Sequence, residues 1–181
     1  MIVKYFDIER EYTIKCKAFL PDDSVKMFVL GVHGFAGDKE SSMLFELAKV
    51  LVPEGGAVLC FDFPAHGDSP TDENKLTVEN CKTDLLVAAK WAEKTYPVAK
   101  KFVFATSLGG YISLLSCDNL TGYKMILRAP AVTMPKVLLE SVLNVTDKQF
   151  KKKGVIECGF ERRIRLPYSF YENLVCYDVH E

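Results

Sequence analysis

Four short apolar runs punctuate the chain: residues 27–32 (MFVLGV), 57–61 (AVLCF), 101–105 (KFVFA) and 125–127 (MIL). A strand with one solvated face alternates apolar and polar positions, so runs this continuous suit strands covered on both faces. Helical spacing fills the gaps between them. Residues 42–51 form one such segment, broken at Glu54-Gly55-Gly56, and Val78, Cys81, Leu85, Ala88 and Ala92 line one face of a second that stops at Tyr96-Pro97. A third runs from Ser107 to Cys117. Buried strands alternating with helices predict an α/β three-layer sandwich with a mostly parallel sheet, and the repeats are too few for a barrel. Residues 2–6 and 12–19, β-prone and parted by the charged stretch from Asp7 to Glu11, predict an antiparallel hairpin at the N-terminal edge.

After Pro130 this rhythm is lost. Residues 137–142 and 169–177 have short helical patterns, residues 151–165 read as polar and irregular, and no further strand of the buried type is expected. At 181 residues and 49% hydrophobic content the chain can bury one substantial core, which argues for a single domain. A net charge of -1 provides no field for nucleic acid or an anionic membrane surface, and Lys148 with Lys151, Lys152 and Lys153 reads as a solvated helix end. The six cysteines are scattered without a Cys-x-x-Cys pair, so neither a metal nor a redox centre is expected; Cys60 and Cys117 lie in apolar segments as core thiols. The stretch from Met1 to Arg10 argues against a secretory signal and no apolar run reaches spanning length, so a cytoplasmic location without a membrane span is the expectation.

Ala105-Thr106-Ser107-Leu108-Gly109 joins a buried strand to a helix, the context of a nucleophile elbow. A sharp strand-to-helix turn tolerates only small residues two positions either side of the nucleophile, here Ala105 and Gly109. Such a turn lifts the Ser107 hydroxyl to the carboxyl end of the sheet and sets the Leu108 amide at the start of a helix, facing a developing oxyanion. The competing reading is that Ser107 only caps the helix. His33-Gly34-Phe35 follows the first buried strand, where the Phe35 amide would complete an oxyanion hole. Asp62-Phe63-Pro64-Ala65-His66-Gly67-Asp68-Ser69 forms a tight loop after the second. His33 and His66 both read as structural: each precedes the serine, against the order Ser, acid, His.

Together with Leu127-Arg128-Ala129-Pro130, these segments resemble the α/β-hydrolase superfamily. The likeness is to small bacterial esterases of the cinnamoyl or feruloyl esterase and monoacylglycerol lipase type, often labelled serine aminopeptidase-like. It implies the α/β-hydrolase fold, Ser107 as nucleophile, no cofactor, and a lid or cap formed by residues 132–166. It also implies a catalytic acid and a histidine on later strand ends that the sequence to Glu181 does not reach, leaving the fold incomplete at its C-terminus. Asp178 and His180 are the acid and base candidates after the elbow, but they stand too close together to converge on Ser107 from different elements.

The function expected is hydrolysis of a small carboxylic ester or related acyl substrate through an acyl-enzyme on Ser107, with this polypeptide nearly inactive alone. Two alternatives are a truncated, non-catalytic fold that binds an acyl ligand or a partner chain, and a thioesterase, amidase or acyltransferase on the same scaffold. An unpaired last strand would favour a homodimer or a partner chain at the sheet edge. No nucleotide motif follows any strand, and the three histidines lack zinc-ligand spacing.

Overall fold

The computed structural model describes residues 1–159 and 163–180. Strands β1 (Ile2–Glu9) and β2 (Thr13–Leu20) form the N-terminal hairpin, in register from Ile2 opposite Leu20 to Glu9 opposite Thr13. β1 runs through the acidic stretch expected to separate the strands. Asp7 and Glu9 are exposed on it, where Lys15 Nζ meets the Asp7 carboxylate at 2.7 Å and Thr13 Oγ1 donates to Glu9. Alternating exposure along a hairpin accommodates charges that a doubly covered strand would not.

β3 (Met27–Val32), α1 (Ser42–Leu51), β4 (Gly56–Phe61), α2 (Val78–Thr95), β5 (Lys100–Thr106), α3 (Leu108–Leu114) and β6 (Lys124–Arg128) follow in the predicted alternation. The sheet order is β1-β2-β4-β3-β5-β6: β3, β4, β5 and β6 run parallel, and β2 pairs antiparallel with β4. Phe28, Leu30, Ala57, Leu59, Phe61, Val103 and Ala105 pack on the side of α2 and α3; Val29, Val58 and Cys60 meet Leu44 and Ala48 of α1 on the other. These two clusters make the three-layer sandwich. Arg10, Tyr12 and Asp84 tie the hairpin turn to α2: Arg10 Nη1 is 2.6 Å from Asp84 Oδ1 and Tyr12 Oη 3.0 Å from it, and burial pushes the Asp84 carboxyl up to about 6.

Beyond β6 the chain forms α4 (Met134–Val137), a π-helical turn (Leu138–Leu143), α5 (Asp147–Lys153), β7 (Val155–Cys158), β8 (Ile164–Pro167) and α6 (Tyr168–Leu174). The expectation of an irregular stretch over 151–165 is corrected: β7 and β8 pair antiparallel, Val155 opposite Pro167 and Cys158 opposite Ile164. Four-residue strands give too little alternation to register as a period, yet Ile164 and Leu166 are buried while Arg165 between them is exposed. Cys117 is also corrected, being exposed at the end of the α3 segment, whereas Cys60 is buried. The lysines do close α5, and the helix opens on a capping box in which Thr146 and Gln149 bond each other's backbone. Thr146→Ala should cost about 1 kcal/mol, read as a thermal midpoint lowered by roughly 2–4 °C. Among the described residues no helix is long and apolar enough to cross a membrane.

Candidate active site

The carboxyl ends of β3, β4 and β5 bring three loops together. Ser107 follows β5 with φ 49° and ψ -117°, a positive φ that L-residues rarely adopt. Three backbone hydrogen bonds hold it there: its N–H donates to Arg128 O at 3.3 Å, and its carbonyl accepts from Tyr111 N at 3.0 Å and Ala131 N at 3.1 Å. The Ser107 side chain makes no cap bond, so helix capping is not its role. Its Oγ has no hydrogen-bond partner among the described residues. The residue is only partly buried, which leaves the hydroxyl accessible.

Small residues around the elbow have separate causes. A Cβ on Gly109 would lie 2.5 Å from His33 O and 2.6 Å from Val32 O, so glycine lets α3 sit directly on the end of β3. A Cβ on Gly34 would lie 3.2 Å from Ser107 Cβ, which places the His33-Gly34-Phe35 loop against the elbow. Ala105 is fully buried opposite Val32. The amides of Phe35 and Leu108 both lack an acceptor among the described residues, and Leu108 opens α3.

The loop after β4 braces this arrangement from the far side. Asp62 is 1% exposed and accepts from Lys39 N at 2.7 Å, Lys39 Nζ at 2.9 Å and Asp68 N at 2.8 Å. Lys39 is itself only 3% exposed; burial opposes its charge, but the hydrogen bonds to Asp62 and Asp68 outweigh this and raise its pKa. Gly67 has φ +52°, and a Cβ there would fall 2.2 Å from the Asp62 carboxylate. His33 and His66 are buried and bonded to backbone, as the structural reading of both anticipated. Lys39 escaped the sequence reading because a single lysine in a polar stretch is ordinarily solvated.

Neither Asp178 nor His180 is hydrogen-bonded to Ser107. Both are exposed, the Asp178 carboxylate accepts the His180 backbone N–H at 2.9 Å, and they border a groove with Val132, Thr133 and Lys136. Phe170 of α6 stacks on Phe35 with ring centroids 6.4 Å apart, so α6 packs against the loop after β3. Among the described residues no group of three or more His, Cys, Asp or Glu could hold a metal ion.

Ser107 stands with a positive φ at a strand-to-helix turn, and the family model described as Serine aminopeptidase, S33 matches residues 23–168. The chain belongs to this family of α/β hydrolases. No curated protein sequence matches the chain significantly. As a serine aminopeptidase-type hydrolase it resembles solved structures across nearly its whole length. Est1E from Butyrivibrio proteoclasticus, solved with ferulic acid bound, is 19% identical with TM-score 0.82, covering 96% of this chain and 72% of that one. The α/β hydrolase GrgF from Penicillium sp. sh18 is 15% identical with TM-score 0.73, covering 99% and 74%. A highly thermostable carboxyl esterase from Bacillus coagulans, in complex with glycerol, is 18% identical with TM-score 0.63, covering 85% and 52%. At these identities the neighbours establish the fold; family membership supports a serine-hydrolase-type function.

Proposed function

We propose that this hydrolase cleaves small carboxylic esters or related acyl substrates through an acyl-enzyme on Ser107. The observation that carries the reading is the locked, positive-φ backbone of Ser107 with its hydroxyl uncapped beside the free amides of Phe35 and Leu108. Ser107 Oγ attacks the carbonyl carbon, the two amides take the tetrahedral oxyanion, the alcohol departs, and water releases the acid. Residues 132–166, of which 160–162 lie outside the described residues, act as a lid over the acyl group. The acid and base are assigned to a polypeptide segment other than the described residues, because neither His33 nor His66 has a nitrogen to spare for Ser107.

The reading is tested by labelling the purified chain with a fluorophosphonate, with and without added imidazole. Labelling should be slow, should accelerate with imidazole acting as an external base, and should vanish in Ser107→Ala. Ester hydrolysis by the chain alone should stay within about 10³–10⁴-fold of water, the residue left when a triad lacks its base. Equal labelling of Ser107→Ala, or none with imidazole in a folded sample, overturns it.

A second reading is favoured by one feature. Met27, Val29, Leu47, Leu51, Phe102, Phe104 and Ile126 line an apolar groove between α1 and the edge strand β6, with Ile126 57% exposed. Parallel sheets are normally covered on both faces, so the chain would serve as one half of an assembly, its groove closed by another polypeptide. Gel filtration of Ile126→Lys against the parent checks this: loss of a larger species supports assembly, and a monomer in both cases removes it.

A further inference from the structure

The two buried histidines do more than satisfy themselves. A backbone N–H can only donate, and Phe63 N–H reaches His33 Nε2 at 3.1 Å. The His33 proton is therefore on Nδ1, and it donates to Gly34 O at 2.7 Å. That carbonyl also accepts from Gly37 N–H at 3.0 Å. In a trans peptide the C=O and N–H point to opposite sides, so two donors on Gly34 O fix the direction of the Phe35 N–H across the same bond. Donation to the carbonyl also polarises that N–H, because linked hydrogen bonds strengthen one another.

His66 repeats the arrangement one peptide later. Ala36 N–H donates to His66 Nε2 at 3.0 Å, so its proton too lies on Nδ1, which donates to Pro64 O at 2.8 Å. Ala36 has φ 58°, a conformation that needs such a restraint. Each histidine thus sits on one loop and takes a backbone N–H from the other. The rings are 5.1 Å apart and at most 2% exposed. The peptides on either side of Phe35 are held at opposite ends, one by its carbonyl and one by its N–H.

We propose that His33 and His66, as neutral Nδ1–H tautomers, are positioning residues that clamp the peptides flanking Phe35 and hold its amide aimed out of the loop as an oxyanion donor beside Ser107. The inference rests on the hydrolase reading for what the amide serves, but the clamp can be measured without turnover. Long-range nitrogen–proton NMR of the whole chain at neutral pH should find the proton on Nδ1 of both rings. Asparagine at 33 retains an N–H near the place of Nδ1, whereas glutamine reaches the place of Nε2 and loses the donor to Gly34 O. The Phe35 amide proton should therefore stay near its parent resonance in His33→Asn and move upfield in His33→Gln. A merely structural ring would not separate the two variants in this way. Where the parent labels with fluorophosphonate, His33→Gln should label about 10²–10³-fold more slowly, the cost of one lost oxyanion donor. A ring protonated on Nε2 or on both nitrogens overturns the clamp, as does a Phe35 amide that behaves alike in both variants. The expected spectra from a chain whose Ser107 proves unreactive would leave the clamp standing and remove only the hydrolase reading.

Discussion

Gly109→Ala should lower the unfolding free energy by about 3 kcal/mol or more, at the upper end of what overpacking a close contact costs. The added methyl would meet His33 O at 2.5 Å and Val32 O at 2.6 Å, and both atoms are backbone at the end of a central strand. No side chain can rotate out of the way. Relief requires α3 to lift off β3, which moves Leu108 and Ser107 together. The variant should therefore show a lower urea midpoint and lose Ser107 labelling even where it remains folded. Gly110→Ala is the control: its Cβ would meet Pro130 Cβ at 2.8 Å and Pro130 Cα at 3.0 Å, in the loop after β6 rather than at the end of a central strand, so a smaller loss is expected. Equal losses for both would mean that the β3 carbonyls are not what demands glycine.

Lys39→Met should cost about 3–5 kcal/mol near neutral pH, the range for stranding one partner of a buried ion pair. Asp62 would keep the amides of Lys39 and Asp68 as donors and lose its only ammonium among the described residues. Burial already pushes the Asp62 carboxyl above the usual carboxylate range despite the bond to Lys39, and removing Lys39 pushes it further. The sign follows from the raised value. A carboxyl with a folded pKa above its unfolded one binds protons more readily in the folded chain, so stability is retained below the unfolded pKa and lost as pH rises through the folded one. The deficit of Lys39→Met relative to the parent should thus be largest at mildly alkaline pH and shrink toward mildly acid pH. Urea unfolding of both proteins across that range measures it; a deficit that grows toward acid would show that Asp62 is not the group left stranded.

Much of the scaffold was legible because its signals are local. The runs at 27–32 and 57–61 are apolar at nearly every position because helices cover both faces of those strands, and the helical period of Val78, Cys81, Leu85 and Ala88 reports the face of α2 that covers one face of the sheet. The strand-to-helix turn at Ser107 was legible for the same reason, since small residues around a serine between strand and helix are a contiguous pattern. The β7–β8 hairpin was not: its strands are four residues long, and their burial depends on packing beneath Phe150 and α6 rather than on any period.

The sequence by itself determined the order of strands and helices through β6, the parallel core, the strand-to-helix turn at Ser107 and the expectation of a hydrolase, all carried by residues within a few positions of one another. Tertiary structure alone decided that β4 lies between β2 and β3, that Lys39 is buried on Asp62, and that His33 and His66 exchange backbone donors between two loops. Those contacts join residues 23 and 30 positions apart, through a buried ion pair and through imidazole nitrogens that accept backbone N–H groups just past the strand ends. A side chain's partner at that separation is set by which strands become neighbours, and no local period records it.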